Sequence, residues 1–263
     1  MAVNDSSEAF AGLIRKADRI LVFTGAGIST GSGIPDFRGP DGVWKTRQPV
    51  YYQDFMRSET SRIEHWDYKL SAWNAFRDAV PNAAHRAVAA LERANRLLLV
   101  VTQNIDGLHS AAGTSPDRLV EIHGTNRLAE CQSCGARSDP QPHFDFFERE
   151  RTPPLCACSG FLKPATISFG QPLRKEELRR AGDAALGADL VIALGTTLTV
   201  NPASSIPLLA ADRGVPYVIV NRGATDHDGL PAVTLRIEGD VTALFPPVVQ
   251  MALGQHSGVK PDQ

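Results

Sequence analysis

Four short, nearly continuous apolar runs recur along the chain, and none of them alternates between apolar and polar positions. Such runs are typical of buried strands in a parallel sheet whose two faces are covered by helices. Each run ends in a polar or glycine-rich corner, which we interpret as the carboxyl end of a strand, where open α/β sheets bind ligands. The runs are Arg19–Phe23, Leu97–Val101, Leu190–Leu194 and Tyr217–Val220.

Segments with helical spacing separate these runs. Asn82 is the predicted cap of a helix over Ala83–Ala94, in which apolar residues recur at helical intervals. A charged and then alanine-rich surface helix is predicted over Arg174–Leu186, and a third helix over Ala203–Arg213 is expected to stop at Gly214. The alternation of strands and helices predicts the α/β class with a doubly wound parallel sheet.

Two regions interrupt this alternation. The segment Val50–Val80 is rich in aromatic residues and has no strand-like run, so it is predicted to be a helical insertion with a small aromatic core of its own. The segment Glu130–Pro164 contains all four cysteines and many prolines, which indicates a small module held together by a metal. The polar tail Gly254–Gln263 is predicted to be frayed.

Composition narrows the function classes. A length of 263 residues with 43% hydrophobic and 21% charged residues fits one large or two unequal globular domains and excludes wholesale disorder. With 27 Lys and Arg against 29 Asp and Glu, the net charge of −2 argues against a generally basic protein, so direct nucleic-acid binding is not expected. No apolar run reaches membrane-spanning length, and no secretion signal is recognisable, which together predict a cytoplasmic location.

The cysteines form two close pairs, Cys131 with Cys134 and Cys156 with Cys158. Two pairs separated by about 20 residues match a structural zinc ribbon, in which four thiolates fill the tetrahedron and leave no open position. The second pair is Cys-x-Cys, which is a tighter chelate than the usual Cys-x-x-Cys. Four unrelated buried thiols are the alternative, and we favour zinc.

A glycine-rich segment, Thr24–Gly31, follows the first predicted strand directly. Glycines at such a corner allow a pyrophosphate to approach the backbone at a helix N-terminus. Thr30 occupies the third-glycine position of the usual fingerprint, and no clear acidic residue follows about 20 residues later, so a purely structural glycine turn stays open. The next segment, Gly33–Gly39, places an acid, an aromatic ring and a guanidinium beside this corner.

Two further motifs follow strand ends. Gln103, Asn104 and Asp106 come after the second strand and can hydrogen-bond the hydroxyls and amide of a polar ligand, although a capping turn would explain any one of them. His123 ends the short apolar run before Gly124 and can serve as a general base, because the pKa of histidine lies near neutral pH. A structural histidine is the alternative reading of His123, and His109 is its only rival.

Taken together and in order, these motifs resemble the sirtuin family of NAD-dependent protein deacylases, and most closely its bacterial, actinobacterial-type members. The resemblance covers nearly the whole chain, from about Ala17 to Leu253. It rests on Gly25–Gly39, Thr102–His109, His123-Gly124, the paired cysteines, Phe169-Gly170, Gly195–Thr197, Asn221 and Gly239-Asp240.

The resemblance implies a Rossmann-like domain interrupted by two modules. The Rossmann parts are expected over residues 1–48, 81–127 and 166–253, the helical module over 49–80, the zinc ribbon over 128–165 and a disordered tail over 254–263. NAD and zinc are the implied cofactors, and an acylated lysine peptide or protein is the implied partner. Neither a membrane nor a nucleic acid is expected as a partner.

The resemblance also implies a role for each site residue. His123 and Asn104 are the expected catalytic residues, and Asn221 would supply the ribose contact that an acid supplies in the usual fingerprint. The pyrophosphate and nicotinamide side would be formed by Gly25, Ala26, Gly27, Ser29, Asp36, Phe37 and Arg38. The nicotinamide ribose and amide would be held by Gln103, Asn104, Ile105, Asp106 and His123. The adenosine end would be lined by Gly195, Thr196, Thr197, Asn221, Arg222, Asp240 and Val241. Zinc would be bound by Cys131, Cys134, Cys156 and Cys158, and the peptide would pair by strand addition with Ile167, Ser168, Phe169 and Gly170.

The implied reaction transfers the acyl group of a modified lysine to ADP-ribose with release of nicotinamide, and His123 acts as general base on a ribose hydroxyl. A mono-ADP-ribosyltransferase that uses the same NAD pocket is the alternative. The chain departs from the family at Gln171, where glutamate is common, at Ser168, which is often apolar, and at Thr197, where serine is commoner. Family members that prefer acidic acyl groups carry Tyr-x-x-Arg in the helical module. Here Tyr68 is followed three residues later by Ser71, which predicts a neutral acyl group, acetyl or somewhat longer.

Overall fold

The computed structural model describes residues 3–35 and 48–254. Its strands are β1 (Ile20–Thr24), β2 (Leu97–Thr102), β3 (Leu119–Glu121), β4 (Gly124–Cys131), β5 (Arg137–Ser138), β6 (Leu162–Thr166), β7 (Leu190–Leu194), β8 (Tyr217–Asn221) and β9 (Leu235–Glu238). Its helices are α1 (Val3–Lys16), α2 (Tyr52–Arg57), α3 (Glu59–Asp78), α4 (Ala83–Arg93), α5 (Leu108–Ala111), α6 (Gln141–Glu150), α7 (Lys175–Gly187), α8 (Ile206–Ala211) and α9 (Val241–Gly254). None of these helices is both long enough and apolar enough to cross a membrane.

Six strands form one parallel sheet in the order β3-β2-β1-β7-β8-β9. Successive strands are added outward from β1 on one side and from β7 on the other, which is the strand order of a Rossmann-like doubly wound sheet. The order reverses between β1 and β7, so their carboxyl ends flank the crevice in which such sheets bind ligands. The predicted fold class is therefore confirmed.

The two faces of the sheet explain why the apolar runs do not alternate. Ile20 and Val22 of β1 pack in a cluster with α1, α4 and α9, whereas Leu21 and Phe23 pack in a second cluster with α7 and α8. All residues of β1, β7 and β8 are buried. The four predicted strands are confirmed to within a residue or two. The edge strand β9 was not predicted, because Arg236 and Glu238 interrupt its short run.

The predicted helices are confirmed as well. The Asn82 side chain accepts hydrogen bonds from the backbone N–H groups of Ala84 (2.9 Å) and His85 (3.4 Å), and the backbone N–H of Asn82 donates to Nδ1 of His85 (3.3 Å). This reciprocal capping box fixes the start of α4. The third predicted helix is a 3-10 turn over Ala203–Ser205 that continues into α8.

The helical insertion does not have an aromatic core of its own, so that prediction is wrong. Trp66 and Trp73 of α3 pack against Phe144 and Phe147 of α6, in one cluster that also contains Cys131. The Trp73 and Phe144 rings stack with centroids 4.3 Å apart. The aromatic face of α3 needs a covering layer, and the cysteine module provides it with α6 and the antiparallel sheet β5-β4-β6.

Candidate active site and cysteine cluster

The corner after β1 lies directly against the corner after β7. The backbone N–H of Gly25 donates to the carbonyl of Leu194 (3.1 Å), and that of Gly27 donates to the carbonyl of Gly195 (2.8 Å). A Cβ on Gly27 would lie 2.8 Å from Cα of Gly195, so both positions need glycine for the two backbones to approach this closely. The result is a backbone corner, with Ala26 between two glycines, at the point where the strand order reverses.

A cleft of about 900 Å³ opens above this corner and extends to α3 and to the segment after β6. It brings together most of the site residues that the sequence predicted. Those that line it are Gly25, Ala26, Gly27, Gln103, Asn104, Ile105, His123, Ile167, Ser168, Phe169, Gly170, Gly195, Thr196, Thr197, Asn221, Arg222, Asp240 and Val241. Asp36, Phe37 and Arg38 lie outside the described residues.

Ser29 and Asp106 are buried beneath the cleft rather than on its wall. Nδ2 of Asn104 donates to Oγ of Ser29 (3.0 Å), which in turn donates to Oδ2 of Asp106 (2.8 Å). The other Asp106 oxygen accepts from the backbone N–H of Leu108 (2.9 Å). Burial raises the pKa of Asp106, while these hydrogen bonds favour its charged form. This chain of hydrogen bonds fixes the orientation of the Asn104 side chain in the cleft wall.

His123 lies half-buried in the cleft wall, at the turn between β3 and β4. Its Nδ1 lies 3.1 Å from the carbonyl oxygen of Gln103. Because a carbonyl can only accept, Nδ1 carries the proton in this hydrogen bond, and Nε2 is the basic nitrogen of the neutral ring. The carbonyl of His123 accepts from the N–H of Ile167 (2.8 Å), which ties the histidine to the predicted peptide segment.

His109, the rival base, is nearly inaccessible. Its Nε2 lies 3.0 Å from Oγ1 of Thr24, and burial holds its pKa well below the usual value. The ring packs edge-on against His85 with centroids 5.0 Å apart, away from the residues that line the cleft. A histidine in this setting supports the corner behind Thr24 and is not available to a ligand.

The far end of the cleft contains a small polar network. Nε2 of Gln103 donates to Oγ1 of Thr196 (2.8 Å), which joins the carboxyl ends of β2 and β7. The Arg222 guanidinium forms an ion pair with Asp240 (2.7 Å) and is otherwise largely exposed. Hydrogen bonds from Thr242 lower the pKa of Asp240. These groups offer hydroxyl, amide and carboxylate partners to a polar ligand.

The predicted peptide segment is braced by α2 and by its own turn. The carbonyl of Phe169 accepts from the N–H of Tyr52 (2.8 Å), and that of Gly170 accepts from Nε2 of Gln53 (3.4 Å). The N–H of Ser168 donates to Oε1 of Gln171 (3.1 Å). An added peptide strand must therefore use other backbone groups of this segment. Gln171, which departs from the family pattern, serves here to hold the turn.

The four cysteine sulfurs lie within 4.8 Å of one another. Sγ of Cys131 is 3.6 Å from that of Cys158, and Sγ of Cys134 is 3.8 Å from that of Cys156. A zinc tetrahedron with Zn–S bonds of about 2.3 Å has sulfur atoms about 3.8 Å apart. Backbone N–H groups of Cys134 and Ser133 lower the pKa of the Cys131 thiol to about 6, which favours the thiolate that a metal needs. The donor set and its spacing fit zinc.

Three residues of α3 also line the cleft: Tyr68, which the sequence analysis considered only for acyl preference, and His65 and Lys69, which it did not select. Their spacing of three and four residues is that of one helix face, which is the only sequence signal they carry. This spacing is a weak indication of a ligand site, because the aromatic residues of α3 define a second helix face, which packs against α6.

The fold and the cleft together define a Rossmann-like α/β protein with a dinucleotide-sized site and a four-cysteine cluster. A profile of the Sir2 family matches residues 25–202. The chain belongs to the Sir2 family, the sirtuins.

Similar proteins agree with this assignment. An NAD-dependent protein deacetylase of Haloarcula marismortui is 40% identical over 250 residues, which are 94% of each chain. One of Rhodopseudomonas palustris is 39% identical over 236 residues, 89% of this chain and 93% of that protein. A solved Sir2 structure with a p53 peptide and NAD+ has a TM-score of 0.83 at 32% identity, covering 95% of this chain and 99% of the other.

Proposed function

We propose that this chain is an NAD-dependent protein-lysine deacetylase, which transfers the acyl group from lysine to ADP-ribose and releases nicotinamide and O-acyl-ADP-ribose. One observation carries the proposal. His123 lines the same cleft as the glycine corner, and its Nδ1 is committed to the Gln103 carbonyl. A base and a candidate dinucleotide-binding edge therefore share one cleft, as acyl transfer to a nucleotide ribose requires. The names of the similar proteins support the same reading.

A Cβ at Gly25 or Gly27 would collide with Thr196 or with the Gly195 backbone, so only glycine lets the corner after β1 lie this close to the corner after β7. This corner lines the cleft at the carboxyl ends of the two strands, where doubly wound sheets bind a pyrophosphate. We assign the pyrophosphate to this corner, the nicotinamide ribose to Gln103 and Asn104, and the adenosine to the residues from Gly195 to Thr197 with Asn221, Arg222, Asp240 and Val241. When bound, NAD supplies the ribose that accepts the acyl group and the nicotinamide that leaves.

The residues of the chain accept a proton, position the polar groups of the site and limit water in the cleft. Nε2 of His123 accepts the proton of a ribose hydroxyl, and the Gln103 carbonyl holds the ring in the tautomer that can do so. Ser29 and Asp106 hold the Asn104 amide in place through buried hydrogen bonds. Ile105 and Ile167 contribute apolar surface that limits water in the cleft. The cysteine cluster is closed by four thiolates, so its zinc would be structural.

The test is one assay on wild type and His123→Ala with an acetyl-lysine peptide and NAD. We expect nicotinamide release and peptide deacetylation in the wild type, and a loss of about 10²–10⁴-fold in the variant because the general base is absent. His143→Ala, on α6 and outside the cleft lining, is the matched control and should retain activity. Equal activity in wild type and His123→Ala would contradict the proposal. ADP-ribose left on protein, without O-acetyl-ADP-ribose in solution, would favour the mono-ADP-ribosyltransferase reading.

A cytoplasmic location and the absence of direct nucleic-acid binding are retained here as proposals. The four-cysteine cluster, which suits a reducing compartment, supports the first, and the net charge of −2 supports the second.

A further inference from the structure

The segment after β7 contains a leucine in a backbone conformation that leucine rarely adopts. Leu198 has a φ of +58°, in the left-handed region. For an L-residue this region brings Cβ too close to the following carbonyl oxygen, and residues other than glycine, asparagine and aspartate seldom adopt it. The other described non-glycine residues with positive φ are Asn95, Arg151 and Ser159, and none of them lines the cleft. Strained backbone persists only where its surroundings hold it, and it concentrates at ligand sites.

The Leu198 side chain provides the packing that holds this conformation. It is 1% exposed and belongs to the cluster that the sheet forms with α7 and α8. Burial of a leucine side chain typically stabilises a fold by more than one left-handed residue costs. The N–H of Leu198 also donates to Oγ1 of Thr196 (3.1 Å), an oxygen that accepts from Nε2 of Gln103 (2.8 Å) as well. Packing below the cleft and hydrogen bonds beside it therefore fix the turn together.

The turn determines which neighbours of Leu198 reach the cleft. Thr196 and Thr197 before it and Val200 and Asn201 after it line the cleft, whereas Leu198 does not. The backbone angles of one residue set the direction of the chain beyond it. If Leu198 adopted an ordinary, negative φ, Thr197 and Val200 could not keep their present positions relative to each other.

The residues on the two sides of Leu198 are attached to different parts of the fold. The carbonyl of Thr197 accepts from the N–H of Asp226 (2.9 Å), in the loop after β8. The carbonyl of Val200 accepts from the N–H of Ser204 (2.9 Å), in the 3-10 turn before α8. Leu198 lies between these two attachments, so its turn links the nucleotide corner after β7 to the wall of the cleft that leads into α8.

We propose that Leu198 is a positioning residue for the nucleotide: its buried side chain holds the left-handed turn that keeps Thr197 and Val200 in the cleft wall in the arrangement that binds the ligand. Leu198 does not line the cleft, so it acts through these neighbours. The inference rests on the proposed function, which assigns the adenosine end of NAD to Gly195–Thr197. It follows that the affinity for the nucleotide depends on the backbone preference of residue 198 as well as on its size.

The first test compares two variants of nearly equal volume, Leu198→Met and Leu198→Ile, by calorimetric titration with ADP-ribose. Methionine, like leucine, is unbranched at Cβ, whereas isoleucine is β-branched and disfavours the left-handed region most. We expect the Kd of Leu198→Met to stay within about threefold of the wild type. The Kd of Leu198→Ile should rise about tenfold, because the turn leaves its binding arrangement in the free protein and the ligand must restore it. Equal Kd values in the two variants would overturn the proposal.

A second pair of variants removes the packing and changes only the backbone preference. Leu198→Ala and Leu198→Gly both lose the buried side chain, but glycine adopts the left-handed region at no steric cost and alanine does not. We expect the Kd for ADP-ribose to rise about tenfold in Leu198→Ala and about threefold in Leu198→Gly. If residue 198 served packing alone, the more flexible glycine would be the more damaging substitution. Weaker binding by Leu198→Gly than by Leu198→Ala would therefore contradict the proposal.

Asn95→Ala is the matched control. Asn95 has a φ of +56° at the end of α4 and lies outside the cleft lining. The substitution introduces the same kind of backbone strain at a distance from the ligand, so it should lower the free energy of unfolding in urea and leave the Kd for ADP-ribose unchanged. A raised Kd in Asn95→Ala would show that general destabilisation weakens binding, and the assignment to Leu198 would fall.

Two outcomes separate this inference from the proposed function. If all Leu198 variants bind ADP-ribose as the wild type does and deacetylate an acetyl-lysine peptide, the inference falls and the deacetylase function stands. If the wild type binds ADP-ribose but releases no nicotinamide with any acetyl-lysine peptide, the function falls, and the order of the Kd values decides the inference. In the active enzyme, KM for NAD should follow the Kd, whereas kcat at saturating NAD should change less than about threefold. A wild type without affinity for ADP-ribose would overturn both.

Discussion

At the residue scale, Gly195 is required by the approach of two backbones as well as by its own backbone angle. Its φ is +60°, and a Cβ there would lie 2.5 Å from the carbonyl carbon of Gly27. We expect Gly195→Ala to lower the free energy of unfolding by about 3 kcal/mol, because strain and a backbone clash add together. Gly214→Ala, at φ +83° with open space around it, should cost only about 1 kcal/mol. Urea denaturation measures both, and equal losses would contradict the backbone-clash argument.

Buried histidines couple the stability of the chain to pH. Burial lowers the pKa of His85 to about 4, and it also lowers the pKa values of His65 and His109. An unfolded histidine titrates near 6.5, so between pH 6.5 and 4 the unfolded state binds protons that the folded state does not. The free energy of unfolding is therefore undiminished by these histidines above pH 6.5, and it decreases as the pH falls toward 4.

We expect His85 alone to remove about 3 kcal/mol of the free energy of unfolding across that interval. His85→Gln, which keeps a polar side chain at the capping position, should flatten the pH dependence relative to the wild type. Denaturant titrations at several pH values between 7 and 4 measure the slope. Parallel curves for the two proteins would show that folding does not lower the pKa of His85.

Some site residues are positioned by the strand they follow, and others by packing between segments that are distant in sequence. His123 and Asn104 could be predicted, because each directly follows an apolar run and the carboxyl ends of parallel strands meet at one edge. His65 and Lys69 could not be, because their exposure to the cleft depends on how α3 is rotated against α6. That rotation is set by Trp66 and Trp73, whose partners lie about 70 residues away in sequence.

At the element scale, α3 is held to the cysteine module by aromatic contacts and by hydrogen bonds, among them that from Nε1 of Trp73 to Oε1 of Gln141 (2.9 Å) and that from the Arg151 guanidinium to Asp67 (2.6 Å). Nε1 of Trp66 donates to the carbonyl of Leu162 (3.1 Å), at the start of β6. The strand β6 was not recognised in the sequence, because Lys163 and Pro164 interrupt its apolar pattern although every residue in it is buried. Its pairing with β4 places Cys131 opposite Leu162, so the cysteine cluster and the α3 contact share one short stretch.

Removal of the metal should therefore change the packing around α3. We expect the purified protein to contain about one zinc per chain, and a chelator to lower the melting temperature and change tryptophan fluorescence together. Trp66 and Trp73 report the change, because both pack in the cluster that contains Cys131. Elemental analysis and fluorescence during chelator titration measure it. Zinc loss with unchanged fluorescence would contradict the shared-core argument.

At the scale of the whole molecule, the six-stranded sheet and the cysteine module have separate cores, and α3 contributes Trp66 and Trp73 to the latter and Phe76 to a small cluster with Ile34 and Leu108. The parallel sheet with helices on both faces could be predicted from the non-alternating apolar runs, whereas the order of its strands could not, because it depends on contacts between distant segments. The boundaries of the insertions, predicted at 49–80 and 128–165, are kept as a proposal. The strands β4 and β6 run past residues 128 and 165, because they connect the modules to the segments that carry His123 and Ile167.

We expect α3 and the cysteine module to open as one unit before the six-stranded sheet opens, because they share the cluster of Trp66, Trp73, Phe144 and Phe147. Phe144→Ala removes the ring stacked on Trp73 and should cost about 3–5 kcal/mol within this unit. Hydrogen exchange should then quicken in α3 as well as in α6, whereas protection in β7 and β8 should stay close to that of the wild type. Faster exchange in α6 alone would mean that the two modules open separately, and the cleft wall formed by α3 would then not depend on the cysteine cluster.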